Sequence, residues 1–165
     1  MKKLIGLFVL LVFAAGMSYA AETGAVAGQA KAKIIEEVDL QHVSNAALDF
    51  GTIINTSGGT VTIPANSNTA QYSSGVAAAS GSTTRDQFTI TGLSAGTNYT
   101  VEVDSSVTLE GPSAGDEMTA TLSPSITSAI QGPSDVTLYV GGVLTVASDQ
   151  AVGDYLGSYN VNVTY

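Results

Sequence analysis

The chain of 165 residues has no cysteine, no tryptophan, one histidine and only five lysines and arginines. Each shortage removes a class of chemistry. Without cysteine there is no disulfide and no thiol chemistry, so stability must come from burial and strand pairing. A zinc site needs three or four Cys, His or carboxylate ligands, and one histidine cannot anchor it. Positive charge is scarcer than the total implies, because Lys2 and Lys3 stand at the very start. Beyond residue 20 the chain keeps Lys31, Lys33 and Arg85 against 14 acidic residues, a formal net charge of −11. Such a field repels phosphate backbones and anionic lipid surfaces, so neither nucleic acid nor a polybasic membrane contact is expected. Also missing, outside the first twenty residues, is any sustained apolar stripe at helical period.

What is present begins with a leader. Lys2-Lys3 is followed by an apolar run from Leu4 to Ala15, broken only by Gly6, and then by Ser18-Tyr19-Ala20. Basic start, short apolar stretch and small-x-small exit predict a signal peptide over residues 1–20, cleaved after Ala20. The run is shorter than the roughly 20 residues a spanning helix needs. No later segment is longer or more apolar, so the mature chain is expected to be exported without inserting into a membrane: periplasmic, cell-surface or extracellular. The 145 remaining residues suit one domain. Residues 21–33, small and glycine-containing, read as a flexible entry segment, and 34–165 as the folded body.

From Ile34 onward the apolar period is close to two. Ala47 to Ile54 and Thr60 to Ile63 read as a hairpin about Asn55-Thr-Ser-Gly-Gly. Gln87-Phe-Thr-Ile-Thr alternates cleanly, and Tyr99, Val101 and Val103 share a face opposite Glu102 and Asp104. Met118 to Leu122 is a further strand, Pro124 to Pro133 has no clear period, and Val136–Val140 and Leu144–Val146 read as two strands about a Gly141-Gly142 turn. Nine or ten short strands between Gly, Ser, Asn and Pro clusters predict an all-β, antiparallel, immunoglobulin-like sandwich.

Catalytic groups are few. A Ser–His–Asp triad would have to use His42, which reads as an ordinary half-exposed strand histidine. Neighbours in Glu36-Glu37 or Asp116-Glu117 would point to opposite faces of a strand. Glu102 and Asp104 share a face, but the solvated one, where nothing splits their pKa values. The loops holding Asp116-Glu117 or Asp149 and Asp154 lack the Asp-x-Asp-x-Asp-Gly pattern of a calcium loop. No enzyme activity, cofactor or metal is therefore expected.

Four strings occur in order: Leu48-Asp49-Phe50-Gly51-Thr52-Ile53; Phe88-Thr-Ile-Thr-Gly; Leu138-Tyr-Val-Gly-Gly-Val-Leu-Thr-Val; and Gly153-Asp-Tyr-x-Gly-x-Tyr-x-Val-x-Val-x-Tyr. Together they resemble the bacterial secreted family called domain of unknown function 4402, over roughly residues 34–165. The resemblance implies an exported β-rich domain. A looser resemblance links the C-terminus to chaperone–usher fimbrial subunits, which end in an alternating strand with a near-terminal tyrosine and a glycine about a dozen residues earlier. Gly153 and Tyr165 fit that spacing. Tyr165 is last rather than penultimate, however, and 21–33 lacks the large alternating residues of a strong donor strand. The candidate strand-interface residues are Tyr155, Tyr159, Val161, Val163 and Tyr165, the last four forming one face that is expected to be buried in a strand central to the fold. A non-catalytic secreted or surface structural protein is expected, of fimbrial type, self-assembling or held by a periplasmic chaperone through strand addition. The alternative is an extracellular ligand- or glycan-binding β-sandwich module.

Overall fold

A computed structural model describes residues 27–165; the signal peptide expected over 1–20 lies outside them. The chain divides into two units, 1–33 and 34–165. In the first, residues 27–33 carry no regular structure and are exposed.

The second unit is all-β, with no helix among the described residues. Twelve strands occur where the sequence predicts nine or ten. They are β1 Asp39–His42, β2 Thr52–Asn55, β3 Gly59–Ile63, β4 Gln71–Tyr72, β5 Val76–Ser80, β6 Asp86–Thr91, β7 Asn98–Val103, β8 Ser106–Glu110, β9 Glu117–Pro124, β10 Ile130–Gln131, β11 Val136–Val146 and β12 Val161–Thr164. The extra strands are the two-residue pieces β4 and β10, too short to show a period; β10 lies in the stretch 124–133 that has none. A seven-stranded sheet runs β1-β6-β11-β3-β4, with β9 on β11 and β8 on β9. A three-stranded sheet runs β10-β7-β12, and β2 pairs with β5. Every ladder is antiparallel.

Alternation drives the packing. In β3, Val61 and Ile63 are buried; in β11, Leu138, Val140, Leu144 and Val146; in β7, Tyr99. All three sheets contribute to one core, in which Val61, Ile63, Ile90, Tyr99, Leu138 and Val140 have no exposed surface. Each large side chain so enclosed contributes about 1.5–3 kcal/mol. Tyr99 can be buried because its hydroxyl accepts a hydrogen bond from the Ser94 N–H at 2.9 Å.

Two expected turns are corrected. The segment Asn55–Gly59 does not close a hairpin: β2 pairs with β5, whereas β3 pairs with β4 and β11. The turn is local all the same. The Asn55 side-chain oxygen accepts from the Gly58 N–H at 2.8 Å, and Gly58 has φ +78°. The Asn55 amide nitrogen meanwhile donates to the Ala147 carbonyl at 2.7 Å, tying the turn to the end of β11 and turning the chain from one sheet into another.

Gly141 and Gly142 are no turn either. They are buried in the interior of a single eleven-residue strand. On one edge of β11, Val136–Val140 pairs with β6 and Gly142–Val146 with β3, while β9 runs along the other edge. Gly141 stands where two partner strands meet, and a Cβ there would collide with the backbone of Ile63, Pro64 and Ala65. The glycines serve close backbone approach, not chain reversal. Replacing Gly141 by alanine is expected to destabilise the domain by about 1–3 kcal/mol. Gly28→Ala, with open space around its Cβ position, should be neutral, and urea melts of the two variants check the contrast.

Candidate functional site

The C-terminal strand is an edge. β12 pairs with β7 alone, Val161 opposite Val103 and Val163 opposite Val101. The Asp104 N–H donates to the Asn160 carbonyl at 3.1 Å, which sets the alternation. Asn162 and Thr164 face β7 with their backbone groups, and Val161 and Val163 turn theirs outward, where no strand among the described residues takes them up. The apolar face is only partly covered. Tyr159, Val161 and Val163 are half-buried against the core, and Tyr165 is 67% exposed. The Tyr165 ring lies edge-on to Tyr99 with centroids 5.7 Å apart. The expectation of a buried face in a central strand is thus corrected: among the described residues the strand pairs on one side only and its apolar face is half-covered.

Tyr155 does not join that face. It precedes β12, donates its hydroxyl hydrogen to the Ala151 carbonyl at 2.8 Å and accepts from the Gln150 amide at 2.9 Å. Its ring lies where a Cβ on Gly111 would stand. Alternation in sequence continues back to Tyr155, but the strand does not, because 153–157 folds as a loop bridged to Glu110 through Leu156.

Beside the edge runs an open cleft of about 490 Å³, lined by Val101, Val103, Pro124 and Ile126 and rimmed by Glu102 and Asp104. Ser105, Thr127 and Asn162 also line it, so apolar and polar groups are mixed along the cleft.

Comparison with known families bears on the region just described. The model of the domain of unknown function 4402 (DUF4402) matches residues 40–165, from within β1 to the last residue. The chain belongs to this family. No curated protein and no solved structure matches it.

Within this DUF4402 domain, Tyr159 reaches a buried acid, Asp86, that the period-two reading of 87–91 alone does not single out. Its hydroxyl donates to Asp86 Oδ2 at 2.7 Å, while Asp86 Oδ1 meets His42 Nε2 at 2.7 Å and accepts from the Gln87 N–H at 2.7 Å. Asp86 is 6% exposed, the one charged side chain in the core among the described residues. The His42 ring packs on Phe88 at 4.8 Å, and Phe88 meets Tyr159 edge-on at 6.4 Å. A signal was available: Asp86, Phe88 and Ile90 share parity in β6, so an acid stands on an apolar face. Both Asp86 oxygens are occupied, which makes the group a clamp joining β1, β6 and the C-terminal segment rather than a base.

Gly111-Pro-Ser-Ala-Gly has the spacing of a serine nucleophile elbow, yet it is the loop between the antiparallel strands β8 and β9, with no helix after it. Glu102 and Asp104 are both exposed.

The clamp makes two predictions. Tyr159→Phe strips one bond from a buried carboxylate and should cost about 1–3 kcal/mol, read from a urea melt near neutral pH. Burial first, then the hydrogen bond and charge of Asp86, hold the Tyr159 phenol well above its ordinary value of 10.0. Below pH 10 both folded and unfolded chains keep this proton, and the stabilisation is whole. Above it the unfolded chain ionises first, so stability falls as pH rises. The advantage of the native chain over Tyr159→Phe should therefore be smaller at about pH 11 than at about pH 8, measured by paired melts.

Proposed function

We propose that this DUF4402 domain is a non-catalytic, exported surface protein that assembles by strand addition, as a fimbrial-type subunit does. The observation that carries the reading is the β12 edge: outward backbone groups on Val161 and Val163, above an apolar face left half-covered and ending in the exposed Tyr165. A soluble monomer usually blunts such an edge with charge, proline or a bulge. Here none of these interrupts Val161–Tyr165. An added strand would gain main-chain hydrogen bonds from the edge and specificity from its alternate side chains.

Electrostatics favour a neighbouring copy's N-terminal segment as that strand. All the acidic residues except Glu22 stand after residue 33, and they are joined there by a single arginine. Lys31 and Lys33 stand in the exposed segment 27–33. Two bodies of like charge repel, whereas a basic segment approaching Glu102 and Asp104 is attracted.

Val161→Asp puts a charge against the core and should abolish secretion or assembly. Thr164→Asp, exposed and opposite Thr100, should leave both nearly intact. Asn160 is a poor control, since its side-chain and backbone N–H groups both donate to Asp104 Oδ2. Electron microscopy of shed surface material with an antibody to this chain should show filaments or ladders for the native chain and Thr164→Asp. Lys31→Glu with Lys33→Glu should weaken assembly without loss of folding. A strictly monomeric native protein, with no chaperone bound, would refute the proposal.

A further inference from the structure

A second cleft, sharing no residue with the β12 edge, has the opposite electrostatic character. It is lined by the 43–46 turn, Asn68, Thr84, Arg85, Gln87 and Tyr139, and encloses about 330 Å³. That is the lower end of the range for small-molecule sites. The body of the domain holds thirteen carboxylates and one arginine, yet no residue lining this cleft is acidic and that arginine is among them.

Arg85 is held in place rather than left to swing. Its guanidinium carbon stands 3.6 Å from the centroid of the Tyr139 ring, a cation–π contact. One terminal nitrogen donates to the Ala65 carbonyl at 2.5 Å, and its backbone N–H donates to the Asn68 side-chain oxygen at 3.2 Å. No carboxylate among the described residues pairs with it. The neighbouring Asp86 does not neutralise it, since both Asp86 oxygens are taken by Tyr159, His42 and the Gln87 N–H. One carbonyl contact leaves most of the five guanidinium N–H groups unspent.

Around this cation stand polar groups that make no hydrogen bond within the described residues: the side chains of Ser44, Asn45 and Gln87, the Asn68 amide nitrogen and the Tyr139 hydroxyl. Asn45 is fixed by the turn in a left-handed conformation, φ 64°. A rigid fork that matches a carboxylate, sharing its cleft with amides and hydroxyls that donate and accept, fits a small ring bearing one carboxylate and several hydroxyls. A phosphate dianion fits less well: a single cation opposes it, with no helix N-terminus to help. The acidic body does not forbid a monoanion, because charges beyond about 8 Å are largely screened at physiological salt.

We propose that the Arg85–Tyr139 cleft binds the carboxylate of an acidic sugar, with Arg85 gripping the carboxylate and Asn45, Asn68 and Gln87 the ring hydroxyls. The inference does not depend on the assembly reading, and either can fail alone.

Titration of the mature chain with D-galacturonate, followed by amide NMR shifts, tests it. Expected is saturable binding at a Kd of about 1 mM, with shifts confined to 43–46, 68, 84–87 and 139. D-galactose and acetate, each lacking half of the recognised chemistry, should bind about tenfold more weakly or worse. Arg85→Gln should abolish saturation while the remaining amide spectrum stays native. If that variant unfolds, Asn45→Gly, which suits the left-handed turn, should still weaken galacturonate several-fold. Absence of saturable shifts, shifts mapping elsewhere, equal binding of acetate, or unchanged binding in a folded Arg85→Gln chain would each overturn the proposal.

Discussion

Every ladder of the large sheet except β1–β6, β3–β4 and β8–β9 passes through β11, which serves β6 and then β3 on one edge while β9 occupies the other. Two partners can follow one another along a single edge only if the backbones close up where they meet. Gly141 and Gly142 permit that approach by having no side chain at the junction. The core residues on either side, Leu138 and Val140 before the step and Leu144 and Val146 after it, are thereby kept in one layer. The sheet's continuity, and with it the single core, depends on this backbone contact more than on any one side chain.

The polar features of the domain are organised around that layer. Asp86 begins β6 opposite Val140 and turns inward, where burial of a carboxylate is tolerated only because each oxygen is engaged. Arg85, one residue earlier, lies over Tyr139 on β11. Consecutive residues at the start of β6 thus send a carboxylate into the core and a guanidinium into an open cleft, which keeps the opposite charges from cancelling. The carboxylate joins the C-terminal segment to β1 and β6, and the guanidinium leaves the acidic body its one positively charged recess.

The C-terminal segment combines firm anchoring with incomplete cover. Tyr159 is tied to the core through Asp86, and Asn160 through the Asp104 carboxylate, just before β12 begins. Beyond these ties the strand has one partner among the described residues and a half-covered apolar face. The segment is thus held at its start and less enclosed along its side.

Local pattern was enough for much of this. The all-β class, the positions of most strands, the shared face of Tyr99, Val101 and Val103, and the family resemblance follow from period-two alternation and from strings of residues contiguous in sequence. Even the inward-facing Asp86 was legible in its parity with Phe88 and Ile90, although its partners were not. What sequence alone left undecided are relations between distant residues. Glycine pairs look alike whether they reverse a chain or let two backbones touch, so Gly58-Gly59 and Gly141-Gly142 read as one kind of feature and became two. Alternation near Tyr155 does not reveal where pairing stops, nor does an apolar face at Val161 and Val163 reveal whether another strand covers it. Side-chain parity is local and survives in one dimension. Which edge a strand occupies, and which charge finds a partner across 44 residues from His42 to Asp86 or 73 from Asp86 to Tyr159, is set only when the sheets close on their common core.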